Sequence, residues 1–116
     1  MTNIERPSRN SARAIREYPM PTSKLLDALQ RAIDKLPRWE IESRNSNVIE
    51  ATRRTAILRF TDDVTVVVED TGDGSRALIS SSSRVGKGDL GQNPRNIETL
   101  IEAVDGELSA NSQPPI

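Results

Sequence analysis

The chain of 116 residues contains no cysteine and no histidine. The first absence removes disulfides, thiolate nucleophiles and cysteine metal sites. The second removes the commonest general base near neutral pH and the commonest metal ligand. The acids Asp62, Asp63, Glu69 and Asp70 lack any ligand spacing that would replace them. No metal and no cofactor is expected. Aromatic residues are nearly as scarce, with Tyr18, Trp39 and Phe60 the whole set. Single-stranded nucleic acids are gripped by stacking bases on such rings. A net charge of −1 also gives no bulk pull toward phosphate backbones or anionic lipid. Nucleic acid is therefore not an expected partner. No apolar run approaches the ~20 residues that span a bilayer, and the start of the chain lacks the apolar core of a secretory signal. The composition reads as cytoplasmic.

What remains is enough for one domain. A chain of this length buries roughly two-thirds of its unfolded surface without staples. Its apolar residues concentrate between Leu25 and Val104. Residues 1–17 are polar, carry four arginines (Arg6, Arg9, Arg13, Arg16) and show no hydrophobic period, so they are expected to form a flexible arm. Residues 18–106 form the domain, and 107–116 a flexible tail. Thr22 or Ser23 caps a helix whose stripe is Leu25, Leu26, Leu29, Ala32, Ile33 and Leu36, stopped by Pro37. Four strands follow: from Trp39 to Arg44, from Val48 to Phe60, from Val64 to Asp70 and from Arg76 to Ser83. Turns at 45–47, 61–63 and 71–74 separate them, the last being the clearest hairpin. Trp39 and Phe60 read as core. Asn93 caps a second helix with Pro94 in its first turn, the stripe Ile97, Leu100, Ile101 and Val104, and Gly106 at its far end. The expected fold is α+β, a two-layer sandwich of two helices on a four-stranded antiparallel meander, in the order α-β-β-β-β-α.

The stretch from Ser83 to Ile97 carries the most chemistry. Gly86, Gly88 and Gly91 free the backbone, Arg84, Lys87 and Arg95 supply cations, and the helix start presents N–H groups. It has the letters of a dinucleotide fingerprint without the βαβ context, and no Gly-Lys-Ser/Thr opens the helix. Asp62 and Asp63 are adjacent, so on an extended segment their side chains point apart and cannot converge as a catalytic pair. Arg59 or Arg84 can partner one of them. Arg53 and Arg59 share one strand face and Arg54 the other. Serines are plentiful, but none has an evident activating partner.

Leu58-Arg59-Phe60-Thr61-Asp62-Asp63-Val64, Ser82-Ser83-Arg84-Val85-Gly86, Asp89-Leu90-Gly91, Asn93 and Arg95 together resemble the bacterial family known as domain of unknown function 1499. The resemblance covers roughly residues 18–105. Many members carry a Pro-Asn-Cys segment, often behind an export or membrane segment, and this sequence shows neither. The family's Arg-Ile before the last helix reads Asn96-Ile97 here, with Arg95 one place earlier. The resemblance implies no activity.

Two functions fit these residues. The favoured one is a non-enzymatic binding or assembly module with an unknown protein partner. The alternative is an enzyme or binding protein for a small anionic ligand, held by the 84–95 loop and the helix start, with Asp63 or Asp89 as base and Arg84, Lys87 and Arg95 as clamp. The candidate binding residues are Arg59, Asp62, Asp63, Arg84, Lys87, Asp89, Asn93 and Arg95, with no catalytic residue assigned. The sequence assigns no oligomeric state. Arg84 and Asp89 decide between the readings of the loop. If they are buried against each other, the signature locks the fold. If Arg84, Lys87 and Arg95 converge on a cleft, it is a site.

Overall fold

The computed structural model describes residues 3–55, 60–84 and 89–112. Two strands, β1 (Ile4–Ser8) and β2 (Ser11–Tyr18), precede helix α1 (Thr22–Lys35). Strands β3 (Trp39–Arg44), β4 (Val48–Arg54), β5 (Thr61–Asp70) and β6 (Ser75–Ser83) lead to helix α2 (Gln92–Ser112). The sheet has six antiparallel strands in the order β1-β2-β6-β5-β4-β3. The α+β class matches the sequence reading, but the strand count is six where four were expected.

The added strands come from the supposed flexible arm. Residues 11–18 pair with 75–82 along the whole of β2, from Ser11 opposite Ser82 to Tyr18 opposite Ser75. The inward positions Ala12, Ala14 and Tyr18 are buried, while Arg13, Ile15 and Glu17 face out. Alanines contribute little hydrophobic signal, so the alternation is faint in sequence. The serines of β6 are the partner that this strand needs.

Both helices cover the inner sheet face. On that face lie Ile49 and Ala51 of β4, Val64, Val66 and Val68 of β5, and Ala77 and Ile79 of β6, all buried. Helix α1 presses Leu25, Leu26, Ala28, Leu29, Ala32 and Ile33 onto them. Its N-cap position is Pro21, with no side-chain cap, rather than Thr22 or Ser23. Helix α2 adds Ile97, Leu100, Ile101 and Val104. It does not stop at Gly106 but runs on to Ser112. Leu108 packs against the core, and Glu107 pairs with Arg31 and Lys35 of α1, which holds the last turns in place. The expected tail is thus helical as far as residue 112. Phe60 is 43% exposed and lies outside the core, whereas Trp39 packs against it.

Two glycines make opposite predictions. In the β5–β6 turn, a Cβ on Gly74 would sit 2.3 Å from the Tyr18 carbonyl oxygen and 3.1 Å from Pro19 Cα. Both are backbone atoms and cannot swing away. Gly74→Ala should lower stability by about 2 kcal/mol or more. Gly106, inside α2 with open space around it, has no such conflict. Gly106→Ala should raise stability by about 0.5–1 kcal/mol. Thermal denaturation of the two variants should move in opposite directions, and a neutral Gly74→Ala would refute the close approach.

Candidate functional site

The inner face turns polar at the end where α2 begins. Asp62 of β5, Ser81 and Ser83 of β6, and Asn93 and Asn96 of α2 meet there. Asp62, only 2% exposed, accepts from Asn96 Nδ2 at 2.9 Å and from Ser83 Oγ at 3.0 Å. Asn96 Nδ2 also reaches Ser81 Oγ at 3.1 Å, and Ser81 donates to Asn93 Oδ1 at 2.6 Å. Asn93 Nδ2 lies 2.9 Å from Ser83 Oγ, which closes a ring of hydrogen bonds through these five residues. Each member satisfies another, as buried polar groups must.

Asp89 extends this ring to the chain's N-terminal hairpin. Its carboxylate accepts the N–H groups of Gly91 (2.8 Å) and Asn93 (3.1 Å), the Asn93 side-chain amide (2.7 Å) and Arg6 Nη2 (2.6 Å). Leu90 and Gly91 both take left-handed backbone angles, with φ of 54° and 80°, which turns the chain so that this carboxylate faces the helix start. Asp89, not Asn93, therefore caps α2. Asn93 sits inside the helix and uses its amide to hold the Asn10 carbonyl at 2.9 Å. Burial pushes the Asp89 carboxyl up, but the Arg6 guanidinium and the donors from Gly91 and Asn93 outweigh it and hold it down to about 2.

Arg84 and Asp89 do not pair with each other. Arg84 instead grips Asp63 with two hydrogen bonds, of 2.9 and 2.8 Å, on the exposed side of the sheet. That bond to Asp63 and its negative charge raise the Arg84 guanidinium above its ordinary value. Asp62 and Asp63 belong to β5 rather than to a turn, one facing the core and the other solvent. Arg95 is exposed and folds back toward Gln92 Oε1 at 3.3 Å. Arg59 and Lys87, together with Gly86 and Gly88, lie outside the described residues. The structure thus brings Asp62, Asp89 and Asn93 into one network, with Arg95 beside it. It puts Asp63 and Arg84 on the other face.

One residue at this end was not among the candidates. Arg53 of β4 stands between Asp62 of β5 and Trp39 of β3 in the sheet register. Its Nη1 is buried and has no hydrogen-bond partner among the described residues. Burial lowers the Arg53 guanidinium from its ordinary value; Asp62 counteracts this, while Arg38 and Arg95 reinforce it. The positive charges of exposed Arg38 and Arg95 are thus felt at Arg53. Arg38 takes a left-handed backbone (φ 67°), and its carbonyl accepts the Arg54 N–H at 3.0 Å. Strand parity in the sequence puts Arg53 on one face with Arg59, but parity cannot say which face is inward.

At the other end of the helices an open cleft of about 850 Å³ is lined by Arg16, Tyr18, Lys24, Arg31 and Asp105, among others. Arg16 and Tyr18 both bond Asp105, at 2.8 and 3.2 Å. Burial, then the Asp105 charge, pushes the Tyr18 hydroxyl well above its usual value, so it stays protonated as a donor. Among the described residues no group of acids is placed to hold a metal ion.

The sequence profile of a family of proteins of unknown function, DUF1499, matches residues 4–104. The chain belongs to this family. The match begins in β1, so the family's domain includes the hairpin that the sequence reading left outside it. No curated protein matches the chain. Among solved structures, the chain is similar to TTHA0849 from Thermus thermophilus, with a TM-score of 0.51 and 15% identity over 89% of this chain and 99% of that one. This likeness concerns the fold. Ara h 8.0201 also matches, with a TM-score of 0.44 and 15% identity over 92% of this chain and 99% of that one. No described helix is long and apolar enough to cross a membrane.

Proposed function

We propose that this chain is a non-enzymatic binding domain for a small anion, a carboxylate or phosphate, taken where Arg53 faces the start of α2. One observation carries the reading: Arg53 Nη1 is shut from water without a hydrogen-bond partner among the described residues. A charged donor left unmet costs roughly 1–3 kcal/mol, and an anion oxygen would meet it. Arg38 and Arg95 add positive charge that is felt at Arg53. The Asp62 charge favours the Arg53 guanidinium, but Asp62 is no candidate base, because both of its oxygens already accept bonds from the ring. Of the residues singled out from sequence, Asp62 and Arg95 belong to this site, while Asp89 and Asn93 serve the fold.

A thermal-shift series with phosphate, citrate and acetate, matched in ionic strength with chloride, tests the proposal. A hundredfold excess over Kd should stabilise by about 2.7 kcal/mol, a rise in Tm on the order of 10 °C for a domain of this size. Arg53→Met should abolish the shift while keeping the fold. Anions that leave Tm at its chloride value, or a full shift in Arg53→Met, would refute the site.

A further inference from the structure

The outer sheet face is covered by neither helix, yet it carries an apolar row. Ile15 of β2 stands opposite Leu78 of β6, Leu78 opposite Val67 of β5, and Val67 opposite Val48 of β4. The four side chains form one stripe across four adjacent strands. Ile15 is 60% exposed, and Ile15, Leu78 and Val67 border an open hollow of about 620 Å³. Isolated apolar side chains on a surface need no explanation, but a contiguous stripe on an open sheet does.

Charged rows flank the stripe. On one side Arg13, Ser80, Thr65 and Glu50 align across the same four strands. On the other side Glu17, Arg76 and Glu69 align across β2, β6 and β5. This pattern is self-complementary. Consider a two-fold axis parallel to the strands that passes between β6 and β5. It lays β2 of one copy over β4 of the other, and β6 over β5. Ile15 then meets Val48, Leu78 meets Val67, Arg13 meets Glu50 and Arg76 meets Glu69, each twice. A closed dimer requires that kind of reciprocal pairing. Two sheets packed face to face stay roughly aligned, so the central rows keep this match.

We propose that the outer face binds a second copy of this chain, forming a two-fold dimer through the Ile15–Leu78–Val67–Val48 stripe. The size is sufficient. Strands about 4.8 Å apart and about 3.4 Å per residue, over six strands and the eight residues of β2, present on the order of 800 Å². That is about what one partner buries in a stable complex. The internal pairs of Arg13 with Glu5 and of Arg76 with Glu17 are exposed and easily exchanged for intermolecular ones. The inference is independent of the anion site, which lies on the opposite face.

Sedimentation velocity across a concentration series tests it. The wild-type chain should move from monomer to dimer as concentration rises. Ile15→Glu and Leu78→Glu, each placing a carboxylate at the centre of the interface, should weaken the dimer at least about a hundredfold. Their circular dichroism should stay native, since Ile15 is exposed and Leu78 only half-buried in the monomer. Glu50→Arg should weaken association by opposing Arg13, and adding Arg13→Glu should recover it. A wild-type chain that stays monomeric at every concentration overturns the proposal. So does a dimer that survives Ile15→Glu and Leu78→Glu, because it would pair through the sheet edges instead.

Discussion

Replacing Asn93 by alanine should cost roughly 3–4 kcal/mol of folding stability. The side chain is fully buried, and its two polar atoms serve four partners. Truncation leaves the Ser81 hydroxyl without its acceptor, while the Asn10 carbonyl loses the amide and keeps the Ser83 N–H as a donor. Ser83 and Asp89 each lose one of several bonds. Each stranded buried group costs about 1–3 kcal/mol, and the space left by the amide adds a cavity. The loss is a large share of the roughly 5–15 kcal/mol that holds a domain folded. Urea denaturation should show a lower midpoint with an unchanged slope, the mark of lost stability without a changed denatured state. Ser82→Ala, on the same strand but facing out, should stay within about 0.5 kcal/mol of wild type and serves as the control. If Asn93→Ala also falls within that range, the ring does not hold the fold.

The sequence showed the helices plainly because their stripes are built of large apolar residues. Leu25, Leu29 and Ile33 leave one reading for α1, and Pro37 ends it. Strand β2 was hidden for the converse reason. Two of its inward positions are Ala12 and Ala14, its outward ones include Arg13 and Glu17, and it pairs with the serine-rich β6. Such a strand is specified by its neighbour's register and hardly at all by its own hydrophobicity. Asp62 and Asp63 suggested a turn because adjacent acids are common in turns. In an extended strand the same pair splits, one to the core and one to solvent, and only the fold supplies Asn96 and Ser83 to make the inner one tolerable.

The chemically dense end of the domain is legible in the sequence as a region, but the contacts within it are not. The residues from Ser83 to Ile97 do mark the chemically dense end of the domain, but their densest contacts are structural. The place of Asn93 before Pro94 suggests a cap. The true cap lies four residues earlier, because the left-handed Leu90 and Gly91 bend the chain back on Asp89, and that turn leaves no periodic signal. Arg53 was visible only as one of several strand arginines. Its unmet Nη1 follows from register with Asp62 and from burial between the layers, which no local pattern encodes.

Acid should expose the work of Asp89. Its carboxyl titrates at about 2 in the folded chain against an ordinary value of 3.8. A depressed folded value means that the folded state favours the charged form. The stabilisation is fully present above the ordinary carboxylate range and is lost as pH falls from about 3.8 to about 2. The difference corresponds to about 2 kcal/mol at most, since Arg6 is partly exposed and its share is screened by solvent. Asp89→Asn removes the charge but keeps the shape, so at neutral pH it should be less stable than wild type by up to that amount. As pH drops below about 4 the two stabilities should converge, because wild-type Asp89 is then losing its own charge. Asp89→Ala also strips the N–H groups of Gly91 and Asn93 of their acceptor and should fall further, by roughly 1 kcal/mol more, the usual value of a helix cap. Arg6→Ala should reproduce part of the Asp89→Asn loss, and combining the two should cost less than their sum, as expected for partners in one pair. Urea midpoints measured from neutral to acid pH supply all of these comparisons. Wild type and Asp89→Asn running parallel through the acid range would mean that the carboxylate's charge does not tie the β1–β2 hairpin to α2.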